Sequence, residues 1–209
     1  MPVGATAPAT AAGGWIPADP GPLGLAAFAL TTFVLSMYNA DLVGKAGEPI
    51  VFGLALTYGG IVQVLAGMWE FRRGNTFGAV AFSSYGGFWL SFWAFVQFYE
   101  PAIKDVNAAG KAVGLFLIGW GIFTLYMFVA SFTRSRAIQA VFLLLTITFF
   151  LLGLGAADTN ADLTKYGGYF GLATAAAAWY ASFAEVMFAG HGRWILPVGP
   201  PRPRGGPTV

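Results

Sequence analysis

Six long apolar tracts run through this chain and restrict it to a membrane fold. Most of them approach the ~20 residues that a helix needs to cross the hydrocarbon layer of a bilayer. A membrane β-barrel would show alternating segments of about ten residues, and these continuous runs of Phe, Leu, Ala and Gly do not alternate. The sequence therefore predicts an all-α membrane protein with six transmembrane helices. The tracts cover residues 23–38, 50–69, 77–99, 112–132, 137–157 and 166–188.

The composition argues against several classes of function. Hydrophobic residues make up 57% of the chain and charged residues only 10%. No Lys or Arg lies within a tract, which argues against a retinal pump, and the single histidine, His191, cannot supply a haem held by two histidines. The chain has no cysteine. Its net charge is only +2, and its basic residues form no solvated patch that could bind nucleic acid. We expect no cofactor, no metal and no enzymatic activity.

The loops between the tracts predict how the chain is oriented in the membrane. The loops on one side, together with the C-terminal segment, hold seven of the 11 Lys and Arg residues, and the positive-inside rule places that side in the cytoplasm. Both termini are then cytoplasmic. We expect a disordered tail over residues 1–17, a transmembrane domain over 18–190, and a cytoplasmic Pro/Arg-rich tail over 191–209. The seven basic residues are Arg72, Arg73, Arg134, Arg136, Arg193, Arg202 and Arg204.

Neutral polar residues are concentrated in the first, third and fifth tracts. Hydroxyl and amide groups can bind a small solute without trapping it, so these side chains are candidates for a substrate path. Alternatively, each Ser or Thr hydroxyl bonds to a carbonyl of its own helix, as is common in membrane helices. The sequence leaves both interpretations open. The candidate path residues are Thr31, Thr32, Asn39, Ser84, Thr146 and Thr148.

The stretch before the first tract carries the signals of a helix start. Asp19 can cap the helix and Pro20 can occupy its first turn. The positive end of a helix that begins here is also a candidate contact for an anion. We interpret this stretch as an entrance motif. Its residues are Asp19, Pro20, Gly21, Pro22, Leu23, Gly24 and Leu25.

These residues resemble the acetate uptake transporter family of the GPR/FUN/YaaH type. That family opens with Asn-Pro-Ala-Pro-Leu-Gly-Leu, where this chain has Asp19 in place of Asn and Gly21 in place of Ala. The similarity extends over about residues 19–199, and the order and spacing of the motifs are specific. Further matching stretches are 58–61, 74–78, 84–86, 88–90 and 123–125.

The resemblance implies six helices around a conduit in each subunit, with the subunits assembled as a homo-hexamer in the inner (plasma) membrane. It implies transport of acetate and related small monocarboxylates, with succinate as a further candidate, by a channel or a proton-coupled carrier. It also implies a dry constriction of Phe28, Tyr85 and Leu145, in which the Tyr85 hydroxyl is the one polar group. At 1.5 Å per residue these side chains lie roughly 9, 18 and 14 Å from the starts of their helices, so they can meet near the middle.

Two alternatives remain open from the sequence. The same fold could carry ammonia or ammonium instead of a carboxylate. The helices could also form a membrane scaffold or sensor that transports nothing.

Overall fold

The computed structural model describes residue 15 and residues 17–199, and it is helical. Within these residues, six helices are long and apolar enough to cross a membrane, as the tracts predicted. Most of the tail expected over 1–17 lies outside the described residues, as does the end of the tail expected over 191–209. The six helices are α1 (Gly21–Asn39), α2 (Lys45–Arg73), α3 (Thr76–Ala102), α4 (Val106–Thr133), α5 (Arg136–Ala157) and α6 (Ala161–His191).

Short polar side chains accept hydrogen bonds from the first N–H groups of several of these helices. Before α1, a carboxylate oxygen of Asp19 accepts a hydrogen bond from the Gly21 N–H at 2.9 Å, while Pro20 directly precedes the helix and does not lie in its first turn. The side chain of Asn75 accepts from the Gly78 N–H at the start of α3. Asn160 does the same for two N–H groups at the start of α6. These caps satisfy N–H groups that have no partner within the helix.

Helices α2 and α3 each contain a π-helical segment, Thr57–Val62 in α2 and Phe95–Tyr99 in α3. A π-helical turn accommodates one more residue than an α-helical turn, so it changes which side chains face inward from there on. In α2 the segment contains Gly59 and Gly60. A methyl group on Gly59 would overlap Thr31 of α1, so this glycine permits close packing of the two helices.

The six helices form a closed ring. Helix α1 packs against α2 and α6, α5 lies between α4 and α6, and α3 packs against α2 and contacts α4. Small residues allow close approach at these contacts: a Cβ atom on Gly114 would lie 2.8 Å from the Gly153 carbonyl oxygen. The large side chains that point inward fill the centre of the ring, where the predicted constriction residues lie.

Helices α1, α3 and α5 all cross in the same direction. Residues from the starts of these helices, Gly21, Gly78 and Ser135, line a cavity at one end of the bundle. Residues from α1 and α5 near their other ends, Asn39 and Ala156, line a second cavity. We call the first the tail-side cavity, because both ends of the described chain lie beside it, and the second the far-side cavity.

Candidate substrate pathway

The structure brings together the three residues predicted as the constriction. The rings of Phe28 and Tyr85 have their centroids 5.8 Å apart. Phe28, Tyr85 and Leu145 are 5%, 3% and 3% exposed, and all three line the tail-side cavity. Phe28 and Leu145 also line the far-side cavity, so these two side chains stand between the cavities. The cavities have volumes of about 320 Å³ and about 160 Å³.

A cage of aromatic rings holds Tyr85 in place. Phe123 meets it edge-on at 5.4 Å, and Phe149 stacks on it at 6.4 Å. The Tyr85 hydroxyl lies 2.9 Å from the hydroxyl of Thr124 on α4, which itself donates to the Trp120 carbonyl at 2.7 Å. Since the single Thr124 proton is used there, Tyr85 is the donor to Thr124. The hydroxyl expected to be the polar group of the constriction is therefore bonded to protein, and Tyr85 presents its ring.

Acidic side chains converge at the mouth of the tail-side cavity. A Cβ atom on Gly21 would lie 3.0 Å from an oxygen of Asp19, 3.1 Å from one of Glu185 and 3.5 Å from one of Glu70. Glu70 is only 2% exposed. One oxygen of Glu185 is buried without a hydrogen-bond partner among the described residues. The mouth is thus lined by three carboxylate side chains, of which the sequence had singled out only Asp19.

Basic and amide groups partly balance these carboxylates. Arg73 forms an ion pair with Asp19 at 3.4 Å. Asn75 donates to Glu70 at 2.9 Å and accepts from Arg134 at 2.7 Å. In the described part of the chain, no three His, Asp or Glu side chains have the geometry of a metal site.

Gln63 and Glu70 were not among the predicted site residues, although their spacing in the sequence indicates that they share one face of α2. Gln63 and Glu70 are seven residues apart, which is about two turns and therefore one face of α2. Both are almost fully buried and line the tail-side cavity. Two buried polar residues on one face of a membrane helix indicate that this face lines a cavity.

The six residues predicted to line the path divide into two groups. Thr32, Asn39 and Thr148 line the far-side cavity. Thr31, Thr146 and Thr148 donate to the carbonyls of Ala27, Phe142 and Leu144 in their own helices, which is the alternative that the sequence left open. Thr31, Thr146 and Ser84 line neither cavity.

The entrance motif has a structural part and a part that faces the cavity. The part that lines the tail-side cavity consists of Asp19, Gly21 and Leu25. The carbonyl of Pro20 accepts from the Gly24 N–H at 3.0 Å in the first turn, and the carbonyl of Pro22 accepts from Ser182 of α6 at 2.7 Å. Leu23 is 46% exposed on the outside of the bundle.

One protein-family model matches most of this chain. The model of the GPR1/FUN34/yaaH family matches residues 9–200. The chain belongs to the GPR1/FUN34/yaaH family. Among solved structures it is similar to the one described as the bacterial acetate channel SatP, with a TM-score of 0.81 and 38% identity over 88% of this chain and 99% of that chain.

Relatives in this family have different printed names. The succinate-acetate/proton symporter SatP of Escherichia coli is 39% identical, over 87% of this chain and 95% of its own length. The ammonia transport outward protein 2 of Saccharomyces cerevisiae is 43% identical, over 81% of this chain. The chain spans only 61 to 65% of the length of the first fungal relatives that it matches.

Proposed function

We propose that this protein carries acetate and related small monocarboxylates across the inner (plasma) membrane. The observation that carries the proposal is the pair of cavities on either side of Phe28 and Leu145. Two cavities that meet at a dry constriction give a solute a path with one main barrier. The names of the bacterial relatives, a symporter and an acetate channel, support a transporter rather than an enzyme.

The constriction makes the charge of the solute the main obstacle. Acetate has a methyl group that tolerates an aromatic and aliphatic ring of side chains, and a carboxylate that loses much free energy when it leaves water. Passage as the protonated acid, or with a co-transported proton, removes most of that cost. Buried carboxyl groups such as those of Glu70 and Glu185 are suited to exchange that proton at the mouth. The cost of moving the bare anion and the presence of these carboxyl groups together favour a proton-coupled carrier over a simple anion channel.

We propose that the subunits assemble as a homo-hexamer with both termini in the cytoplasm. Many large apolar side chains face outward, including Leu115 at 75% and Ile122 at 58% exposure on α4. They are available to lipid and to neighbouring subunits. Native mass spectrometry in detergent tests the subunit number.

The orientation in the membrane rests on different observations. Asp19 and Trp194 line the same cavity at one end of the bundle, which supports both termini on the same side of the membrane. The basic residues in the loops on that side support the proposal that it faces the cytoplasm.

The test of transport is uptake of radiolabelled acetate into proteoliposomes at two internal and external pH values. We expect saturable uptake that rises as the external pH falls, and a loss of selectivity for acetate in Tyr85→Ala. Uptake no greater than in empty liposomes would refute the transport proposal. That result would favour the scaffold or sensor instead.

Ammonium is the second candidate, and the acidic mouth favours it. Three carboxylate side chains at an entrance attract a cation more readily than an anion, and the yeast relative's name supports this candidate. A pH-sensitive dye inside proteoliposomes distinguishes the two substrates. An acetate gradient that acidifies the lumen faster than it does in empty liposomes supports acetate, whereas a response faster than in empty liposomes to ammonium alone supports the second candidate.

A further inference from the structure

The segment that follows α6 turns back across the end of the bundle. Gly192 adopts a left-handed conformation, with φ at 67°, and ends the helix, which is a common role of glycine at this position. The residues after it leave the helix axis and reach the start of α5. We call residues 193–199 the C-terminal strap.

Two hydrogen bonds fasten the strap to α5 and α6. The hydroxyl of Tyr180 on α6 donates to the Pro197 carbonyl at 2.9 Å. The Ala137 N–H, in the first turn of α5, donates to the Val198 carbonyl at 3.0 Å. The first N–H groups of a helix have no partner within it, so the strap provides an acceptor that α5 lacks. The strap therefore spans the ends of both helices.

The end of the described strap is fixed by close packing. Gly199 has φ at 71°, a left-handed conformation that favours glycine. A Cβ atom on Gly199 would lie 2.6 Å from the Cγ atom of Arg136 at the start of α5. The backbone of the strap thus lies directly against α5, and a larger residue at this position would push it away.

The strap carries Trp194 to the mouth of the tail-side cavity. The indole stacks on the ring of Phe188, with the centroids 4.5 Å apart and the planes at 27°. Trp194 lines the cavity together with Asp19 and Glu185. Phe188 follows Glu185 by three residues, so both lie on one face of α6. Since Trp194 is 50% exposed, its indole lies at the boundary between the cavity and its exterior.

This placement suits the control of size more than the binding of charge. Indole is the largest side chain, and stacking on a second ring restrains its orientation. A bulky ring on a fastened segment narrows an opening without attracting or repelling an ion. Its effect on a solute then depends on the width of that solute.

We propose that Trp194, held by the C-terminal strap, is a size filter at the tail-side mouth. The filter acts in series with the constriction of Phe28, Tyr85 and Leu145. Short aliphatic acids pass it, whereas branched or aromatic acids are hindered before they reach the constriction. The inference rests on the proposed function, because it takes the solute to be a carboxylic acid, but its test does not use transport.

The test measures how fast reagents of two sizes reach one cysteine inside the tail-side cavity. The chain has no cysteine, so Ala81→Cys, at a buried position that lines this cavity, supplies the single thiol. The detergent-solubilised protein is treated with methyl methanethiosulfonate, which is small, or with benzyl methanethiosulfonate, which is bulky; both are neutral. Adding Trp194→Ala should raise the rate of benzyl labelling about tenfold and that of methyl labelling less than about twofold, because only the bulky reagent meets a barrier at the mouth.

Two matched controls accompany this experiment. A cysteine at the far-side cavity, Ala156→Cys, should react at the same rates with and without Trp194→Ala. Gly199→Ala leaves Trp194 in the chain but displaces the strap, so it should also accelerate benzyl labelling of the cysteine at position 81. Gly190→Ala should not, because a Cβ atom there meets nothing within 4 Å.

Two results would overturn the proposal. Benzyl labelling that is no faster with Trp194→Ala would show that the indole does not limit entry. An equal acceleration of both reagents would indicate a general loosening of the bundle and not a wider mouth. Neither result bears on whether acetate is carried, which the uptake assay in proteoliposomes decides separately.

Discussion

Replacing Leu145 with alanine should widen the constriction and admit larger acids. Leu145 is 3% exposed and lines both cavities. The substitution deletes three carbon atoms between the two cavities, so the cavities of about 320 and 160 Å³ should join. We expect lactate and succinate uptake to increase at least tenfold relative to acetate, which corresponds to a barrier lowered by about 1.4 kcal/mol.

The same substitution should lower the stability only moderately. A buried Leu→Ala change costs about 2–5 kcal/mol of unfolding free energy. Because Leu145 borders a cavity on each side, removing its side chain extends existing cavities and does not open a new one, and we expect a cost near the lower end, about 2–3 kcal/mol. The loss is measured as a shift of the thermal unfolding midpoint in detergent.

The assay is competitive uptake of labelled acetate, lactate and succinate into proteoliposomes that hold equal amounts of protein. Leu143→Ala is the matched control: it makes the same chemical change on α5, at a side chain that is 44% exposed on the outside of the bundle. If Leu145→Ala folds and leaves the succinate-to-acetate ratio unchanged, Leu145 does not limit passage. A change of the same size in the control would equally contradict the assignment.

Three further predictions concern the entrance and the aromatic cage. Gly24→Ala should destabilise the bundle, since its Cβ would lie 2.6 Å from the ring of Phe82, and a lower unfolding midpoint tests this. Tyr85→Phe should cost about 1 kcal/mol of stability through the lost bond to Thr124, while its acetate-to-lactate uptake ratio stays as in the unmodified protein. Asp19→Asn removes one of the carboxylates at the mouth, so it should raise the initial rate of acetate uptake at low ionic strength; an equal gain at high salt would contradict the electrostatic cause.

The number of helices could be predicted for physical reasons. A spanning helix must be apolar over a length fixed by the bilayer, so hydropathy reveals it directly. The meeting of Phe28 with Tyr85 was implied by the family resemblance instead. The rise per residue along a helix showed only that the depths of these side chains are compatible with that meeting.

The chemistry of the mouth could not be predicted in the same way. Glu70 lies in the last turn of α2 and Glu185 within the last two turns of α6, where hydropathy cannot distinguish a solvated carboxylate from one that faces a cavity. The hydrogen bond between Tyr85 and Thr124 depends on how α4 is rotated about its axis. Because α4 carries apolar residues on all its faces, its sequence does not show which face points inward. Buried polar atoms without a partner among the described residues, such as the Thr32 hydroxyl and the Trp89 indole nitrogen, can be found only from the three-dimensional contacts.

The π-helical segment Thr57–Val62 holds one residue more than a regular α-helix needs for the same rotation. Deleting one residue within it would convert the segment to an α-helical turn and leave Gln63 and Glu70 on the face that lines the cavity. A deletion between Gln63 and Glu70 has no wide turn to absorb it, so it would rotate Glu70 by about 100° relative to Gln63. Within α2, the π-helical segment is therefore a place where the chain can lose a residue during evolution without turning its polar face away from the cavity.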